Sequence, residues 1–399
     1  MLTAIRIKLW QALLLLVVIT GVGISFFVSA DGEDSAADIP DDIKALMSRP
    51  QDSLTPHEKW GLDIYLQNHD KKTAPLLEQV GFAAKEEDWQ TAARCLEDVV
   101  QSSPESSLAP LGFYAKAATY WDRIGSRADA DATRRAAIRR GERMLSDNSS
   151  CQWIPFCVVS LVQFYLGLDS PTSEELIRCD DLVLRLSEYQ KGGKLEIPDY
   201  DTQLYKCQLL NRQGKSVEAL TCANSALNLT SKQFPRDRVL YERAVANKAL
   251  GHKNEAIADF QESLDLLMRQ TDDLPAQFRA TKIVRKLTEL GAPPMFTTEK
   301  GLVKVCLRLW SMRHVDSLRS IWIKVSDANW KSIRQTLTNR PLSGKISEVV
   351  VESSNGSSSR VKAVITVSED GRRVAKTVTF KLVRSGKGFL VSSITRPRL

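Results

Sequence analysis

Three stretches of the chain repeat one amphipathic outline, which starts at Ala92, Ala219 and Ala256. Small or apolar residues follow each of these alanines at offsets of four and seven: Leu96, Val99, Ala223, Ala226, Phe260 and Ser263. This spacing places the side chains on one face of an α-helix. A polar turn and a second amphipathic stretch precede each outline, so the pattern predicts helical hairpins.

Between residues 74 and 270 the pattern predicts about five such hairpins, followed by a capping helix at 275–290. A single hairpin cannot cover its own apolar face, so neighbouring hairpins must stack on one another. A further helix is expected to begin at Pro56, with Thr55 as its N-cap. The predicted fold of residues 55–292 is therefore an α-solenoid.

The hydrophobic period changes after the two prolines at 293–294, which end the preceding helix. Two helical stretches come next, and then four segments in which apolar and polar residues alternate, as in strands with one buried face. The predicted inward-facing residues include Val361, Ala363, Ile365, Val367, Val374, Val378, Phe380 and Leu382. Turn sequences separate the segments, so residues 296–399 are predicted to form an α+β domain with an antiparallel meander sheet.

The helical repeats resemble the tetratricopeptide (TPR) family. The three alanines match the small site of that family's second helix, and Phe260 matches the aromatic position four residues later. The chain departs from the family at its Leu-Gly pair, which is replaced by Arg243-Ala244 in the third outline. The resemblance implies a concave groove for an extended peptide or a helix. Its candidate contact residues, taken from the first helix of each hairpin, are Lys116, Lys206, Asn247 and Lys248.

The last 100 or so residues resemble the cystatin-like, nuclear-transport-factor-2-like (NTF2-like) cone in the order of their elements. That family includes ketosteroid isomerase, whose oxyanion hole uses a tyrosine. No tyrosine follows Tyr241 in this chain, so the matching donor is missing. The resemblance leaves open an alternative function, in which the cone binds a small ligand beside Trp310, Trp322 and Trp330 and the repeats recruit its source.

The N-terminal segment carries the signals of export. Residues 9–30 contain no charged side chain and are long enough to span a bilayer. Arg6 and Lys8 precede this segment and acidic residues follow it, so the positive-inside rule leaves the N-terminus in the cytoplasm. We expect residues 1–30 to be a signal-anchor and 31–54 an acidic linker, which gives a single-pass membrane protein with an extracytoplasmic body. The small residues at 28–30 also fit a signal-peptide cleavage site. In that alternative the segment is cleaved, and the protein is secreted or periplasmic.

Charge is distributed unevenly along the chain. Residues 296–399 carry 20 Lys and Arg against 7 Asp and Glu, whereas residues 31–295 carry 33 against 41. The candidate contacts with an anionic lipid or an acidic envelope polymer are Arg360, Lys362, Arg372, Arg373, Lys376, Lys381, Arg384 and Lys387. The alternative is that these cations keep the outward faces of the strands soluble and block edge-to-edge aggregation. Nucleic acid is the least favoured partner, because export is predicted and no aromatic residues interleave the cations.

Chemistry-bearing motifs are scarce. The seven cysteines are spread widely and are expected to be apolar core residues, although Cys151 and Cys157 are close enough in sequence to pair. No nucleotide-binding, hydrolase or zinc motif occurs, and the four histidines lie far apart. The expected function is therefore a non-enzymatic scaffold or adaptor, without cofactor or metal, that binds protein or peptide partners outside the cytoplasm.

Overall fold

The computed structural model describes residues 39–50, 53–147, 151–193, 198–230, 236–269, 273–322, 326–339, 345–369, 372–386 and 388–395. The predicted signal-anchor and the first part of the acidic linker lie outside these residues. Over the described ranges, no helix is both long and apolar enough to cross a membrane.

The chain divides after Tyr205 into two compact units. The helices of the first unit, the last of which continues into the second, are α1 (Asp41–Met47), α2 (Pro56–His69), α3 (Thr73–Lys85), α4 (Trp89–Ser102), α5 (Ala109–Arg123), α6 (Arg127–Asp147), α7 (Ile154–Gly167), α8 (Ser173–Lys191) and α9 (Asp199–Arg212). The Thr55 hydroxyl accepts a hydrogen bond from the Glu58 N–H, and the Glu58 carboxylate accepts one from the Thr55 N–H. This capping box confirms the predicted start of α2.

The second unit joins helices to a sheet. Its elements are α10 (Ser216–Leu227), α11 (Arg236–Ala249), α12 (Lys253–Met268), α13 (Leu274–Glu289), α14 (Glu299–Ser311), α15 (Val315–Leu318), a 3₁₀ turn (Arg319–Ile321), α16 (Asp327–Asn339), β1 (Lys345–Ser354), β2 (Ser358–Glu369), β3 (Arg372–Ser385) and β4 (Gly388–Thr395). Together the two units confirm a mostly helical body with a C-terminal antiparallel sheet.

Four of the helical hairpins close through the same turn. One residue in each turn has a left-handed backbone, with φ of 60° at Glu87, 77° at Gly125, 73° at Gly214 and 81° at Gly251. The N–H of the next residue donates to the carbonyl five positions earlier, as in a Schellman cap. Five residues after each left-handed residue stands a fully buried alanine: Ala92, Ala130, Ala219 and Ala256. The repeat thus extends to α5 and α6, which the three outlines in the sequence did not include.

Close packing in the first unit depends on Gly112 of α5. A Cβ at this position would lie 2.0 Å from Cη2 of Trp60, so the α2 ring occupies the space of a side chain. The centroid of the Trp60 ring also lies 5.5 Å from that of Phe156 in α7. Glycine at 112 therefore lets α2, α5 and α7 share one aromatic contact.

One hydrophobic cluster runs through the second unit from α11 to the sheet. It includes Ala244 of α11, Phe260 of α12, Leu302 of α14 and Phe380 of β3. Phe296 is fully buried in the same cluster and forms a β-bridge with the start of β4. The domain boundary predicted at 292–296 stays a prediction, since apolar side chains from both sides of it share this core.

The sheet is a meander in the order β1-β2-β3-β4, with every pair antiparallel. The register places Val361 opposite Phe380 and Ala363 opposite Val378, and all four side chains are buried. Helix α14 packs against β1, β2 and β4, and its Leu302 belongs to the same cluster as these side chains. We call this helix-facing side the inner face and the opposite side the outer face.

A carboxyl group is buried among the helices of the second unit. Glu242 of α11 is 9% exposed, and Nδ2 of Asn211 donates to its Oε2 at 2.9 Å. Burial raises the pKa of Glu242, and hydrogen bonds from Asn211 and Gln208 oppose this effect. The charged form of Glu242 is therefore disfavoured in the folded chain.

We expect the second unit to lose stability through Glu242 as the pH rises. Because the folded pKa lies above the unfolded one, the folded state keeps a proton that the unfolded chain has released, and the free energy of unfolding falls through this window. Glu242→Gln removes the titration. The stability of wild type relative to this variant should fall by about 1.4 kcal/mol for each pH unit by which the pKa is raised.

Urea unfolding between about pH 5 and pH 8 measures this difference. The exposed Glu255→Gln, which also removes one carboxylate from the same unit, is the matched control and should follow the wild-type curve. Parallel pH curves for wild type and Glu242→Gln would contradict the inference.

Candidate partner-binding surfaces

One face of α5 combines cations and aromatic rings. Lys116, Tyr120 and Arg123 share this face because they are spaced four and three residues apart. The guanidinium carbon of Arg123 lies 4.4 Å from the Trp89 ring and 5.3 Å from the Tyr120 ring. The Lys116 ammonium lies 6.0 Å from the Tyr120 ring centroid. We call these four residues the α5 cation site.

The α5 cation site disfavours the charged form of Lys116. Burial lowers the pKa of Lys116, and the neighbouring Arg123 lowers it further. Within the described ranges, no carboxylate lies within 4.0 Å of the Lys116 ammonium. Burial also raises the pKa of Tyr120 to about 12, and Arg123 acts in the opposite direction. An anionic group placed beside Lys116 would therefore be stabilised by a cation that has no counter-ion in this part of the chain.

The other candidate groove residues belong to the second unit, and they differ in exposure and in hydrogen-bond or ion-pair partners. Lys206 is exposed on α9. Lys248 pairs with Glu289, with 2.7 Å between Nζ and Oε2. Asn247 is 6% exposed, and its amide donates to Oδ2 of Asp259 at 3.2 Å. Asn247 therefore lies inside the hairpin of α11 and α12, where its amide has a partner.

Cations also gather on the outer face of the sheet. Arg360 of β2 stands directly opposite Lys381 of β3, and Lys362 lies on the same face, opposite Thr379. Arg360 and Lys381 are exposed. Across the described ranges, none of the three cations has a carboxylate within 4.0 Å. Like charges directly across a strand pair repel one another, so Arg360 and Lys381 concentrate positive charge at this part of the outer face.

The remaining predicted cations do not join this group. Lys376 stands opposite Ile365 in the register and is half-buried on the inner side. The guanidinium carbon of Arg384 lies 5.6 Å from the Phe389 ring near the end of β3. Arg372 and Arg373 belong to β3, but their side chains, like the whole of Lys387, lie outside the described part of the chain.

The three tryptophans of the predicted ligand cone are core residues. Trp310 is 4% exposed, and its Nε1 donates to the carbonyl of Leu337 at 3.1 Å. The Trp322 and Trp330 rings pack edge to face, with 6.0 Å between their centroids. These side chains belong to the hydrophobic cluster behind the sheet.

Two acids of the helical part of this domain, Asp316 and Asp327, form ion pairs. Asp316 and Arg334 pair at 2.7 Å, and Asp327 pairs with Arg319. In the described part of the chain, no group of three or more His, Cys, Asp and Glu side chains is arranged to hold a metal ion. The seven cysteines are buried, and the Cys157 thiol donates to the carbonyl of Gly141 at 3.5 Å.

Sequence reasoning found Lys116 but missed its surroundings. The spacing of Tyr120 and Arg123 on α5 was available as a signal. Trp89 precedes Lys116 by 27 positions, and only the packing of α4 against α5 brings its ring to the site. Comparison with known proteins adds nothing to this picture, since no protein-family model and no curated protein matches the chain.

Proposed function

We propose that this protein is a non-enzymatic scaffold, membrane-tethered or secreted, whose TPR-like helical hairpins bind a protein or peptide partner outside the cytoplasm. The observation that carries the proposal is the Lys116 ammonium, which is partly buried beside a second cation and has no carboxylate within ion-pair distance among the described residues. A cation desolvated in this way favours a partner that supplies negative charge.

The chemistry of the α5 cation site favours an acidic peptide segment. The Arg123 guanidinium lies beside both the Trp89 ring and the Tyr120 ring, whose centroids are 5.2 Å apart. A carboxylate from the partner would pair with Lys116, which lies beside the buried rings of Trp89 and Tyr120. The partner in this proposal is a protein with exposed Glu or Asp side chains.

The outer face of the sheet supplies the second contact of the proposed scaffold. Arg360 and Lys381 repel one another across the strand pair, and an anionic surface would relieve that repulsion. Neither these two residues nor Lys362 has a carboxylate within 4.0 Å in the described ranges. A predicted tether at residues 1–30 would keep the chain beside a membrane. We therefore propose anionic lipid headgroups as the occupant of the outer face.

The small-ligand alternative has weaker support. It requires space behind the sheet, where Trp310, Trp322 and Trp330 are buried in the hydrophobic cluster. The scaffold proposal rests on Lys116 and on the outer-face cations, which have no carboxylate within 4.0 Å in the described part of the chain. We therefore retain the scaffold as the proposed function.

Removing the Lys116 charge is expected to weaken binding of an acidic peptide by about tenfold or more, because a charge-assisted bond contributes about 1.5–3 kcal/mol. The probe is a glutamate dodecapeptide with both ends blocked, and calorimetry with the detergent-solubilised full chain measures its affinity. Lys116→Met keeps the apolar stem of the side chain. A glutamine dodecapeptide with a free C-terminus tests whether a terminal carboxylate suffices.

Lys206→Met is the matched control, since it removes one exposed helix cation and should change the affinity by less than about threefold. Competitive acetylation read by mass spectrometry reports on Lys116 directly, and bound glutamate peptide should protect this amine. Equal affinities for wild type and Lys116→Met, or unchanged labelling of Lys116, would overturn the assignment of this site.

A further inference from the structure

The two faces of α8 differ in exposure. One face is buried and carries four apolar residues: Cys179, Leu182, Val183 and Leu186. On the opposite face, five exposed residues recur at alternating intervals of three and four positions: Glu174, Ile177, Asp181, Leu184 and Glu188. Because such intervals keep side chains on one side of a helix, these five residues form a continuous stripe. We call them the α8 stripe.

The α8 stripe has two apolar side chains. Ile177 is 64% exposed and Leu184 is 61% exposed. They are spaced seven positions apart, which places them two turns apart on the same side of α8. Over the described ranges, no other helix carries two large apolar side chains with more than half of their surface exposed. A single exposed leucine is common on protein surfaces, but two aligned apolar side chains offer a partner helix a pair of contacts.

Carboxylates alternate with these two apolar side chains. Glu174, Asp181 and Glu188 lie before, between and after them along the helix. Across the described ranges, none of the three carboxylates has a Lys, Arg or His nitrogen within 4.0 Å. The α8 stripe therefore carries negative charge without a paired cation in this part of the chain.

Two cations that are adjacent in sequence to the α8 stripe are engaged by other side chains. Arg178 pairs with Glu142 of α6, with 2.7 Å between Nη2 and Oε2. Arg185 donates from Nε to the hydroxyl of Tyr189 at 2.5 Å, and its guanidinium carbon lies 5.3 Å from that ring. A partner molecule can therefore supply the cations that the α8 stripe lacks.

We propose that the α8 stripe binds a basic amphipathic helix of a partner protein. Apolar side chains at intervals of three and four on that helix would pack against Ile177 and Leu184, and its Lys or Arg side chains would pair with the three carboxylates. Charge favours this occupant over two others. The α8 stripe of a second copy would place carboxylate against carboxylate, and an anionic membrane would repel the same groups.

This site goes beyond the proposed function. A basic helix is opposite in charge to the acidic segment proposed for the α5 cation site, and the α8 stripe shares no residue with that site or with the outer face. Helix α8 is also the second helix of its hairpin, whereas the candidate groove residues were taken from first helices. The two binding proposals can therefore fail independently.

The probe for the α8 stripe is an alanine-based helical peptide with blocked ends, one stripe of leucines at intervals of three and four, and lysines on both sides of the leucines. One leucine is replaced by photoreactive benzoylphenylalanine, and the probe is mixed with the full chain in an uncharged detergent. After illumination, trypsin cleavage at Arg178 and Arg185 releases residues 179–185, which contain Asp181 and Leu184. We expect mass spectrometry to find the main crosslink on this peptide.

Removing the apolar side chains with Ile177→Ser and Leu184→Ser is expected to weaken binding of the probe by about tenfold or more. Fluorescence anisotropy of a labelled probe measures the affinity, after subtraction of a titration with detergent alone. The matched control is Phe82→Ser with Val217→Ser, whose side chains are 64% and 62% exposed on other helices. This control should bind within about twofold of wild type.

Neutralising the carboxylates of the α8 stripe should weaken binding by about fivefold or more at low salt. The variant is Glu174→Gln, Asp181→Asn and Glu188→Gln, and the wild-type affinity should itself fall as salt is added. A control with the same change in net charge removes three exposed carboxylates elsewhere: Glu78→Gln, Asp98→Asn and Glu218→Gln. It should bind within about twofold of wild type.

Crosslinks of the wild type that avoid residues 179–185 would overturn the proposal, and so would equal affinities of wild type and both variants of the α8 stripe. A wild-type dimer in analytical ultracentrifugation that Ile177→Ser with Leu184→Ser dissociates would assign the α8 stripe to a second copy instead. Equally tight binding of a peptide with the same composition, but with leucines spread around the helix, would also contradict a helix-in-stripe contact. The crosslink is read from the wild-type chain, so it holds even where a variant fails to fold.

Discussion

Replacing Phe260 with alanine is expected to lower the free energy of unfolding of the second unit by about 4 kcal/mol. Phe260 is fully buried in the cluster that joins the helices to the sheet. Its ring packs edge to face against Tyr241, with 5.5 Å between the centroids. Alanine would remove both the apolar burial and this ring contact and leave a cavity. Because domains are stable by only about 5–15 kcal/mol, the loss should be visible as a large shift of the urea midpoint.

The matched control is Phe82→Ala on α3, since the Phe82 side chain is 64% exposed and buries little apolar surface. Its urea midpoint should stay within experimental error of wild type. Far-UV circular dichroism follows the urea unfolding of both variants. Equal shifts of the midpoint for the two substitutions would mean that Phe260 of α12 does not anchor the core.

Neutralising the outer face is expected to weaken binding to anionic membranes by about a hundredfold. The variant is Arg360→Gln, Lys362→Gln and Lys381→Gln, and each basic residue near such a surface contributes about 1 kcal/mol. Sedimentation with phosphatidylglycerol vesicles, compared with phosphatidylcholine vesicles, measures the effect. The body at 31–399 is used so that the apolar segment itself cannot bind lipid.

The control for this variant removes three exposed lysines elsewhere: Lys71→Gln, Lys85→Gln and Lys253→Gln. It carries the same change in net charge, so a loss of binding confined to the sheet variant identifies the outer face. The sheet variant should also unfold at an equal or higher urea concentration, since the repulsion between Arg360 and Lys381 is gone. Equal binding by both variants would contradict the lipid contact, and binding of an acidic polysaccharide in place of lipid would assign the face to an envelope polymer.

Much of the local structure could be read from the sequence because it depends on local rules. The capping box at Thr55 and Glu58 is set by residues three positions apart. The alternation along β2 placed Val361, Ala363 and Ile365 on the buried face, where the structure has them. Repeated spacing around Ala219 and Ala256 likewise predicted helices whose small residues are fully buried.

The candidate sites could be predicted only in part, because their chemistry depends on neighbours that are distant in sequence. The sequence pattern identified Lys116 as a basic residue on the first helix of a hairpin. Trp89, which completes its site, comes from α4. Asn247 has the position in the repeat that is expected of a contact residue. Its amide instead donates a hydrogen bond to the carboxylate of Asp259 within the hairpin. Position along a helix does not reveal which polar side chain a neighbouring helix will satisfy.

The sequence by itself determined the helical hairpins, the change to a meander sheet and the basic character of the C-terminal part, since periodicity, caps and charge are written in nearby residues. Only the tertiary structure decided that Arg360 opposes Lys381 and that Phe296 joins the hairpins to the sheet in one core. These contacts form between segments that the chain brings together to bury apolar surface, and their partners follow from packing rather than from distance along the chain.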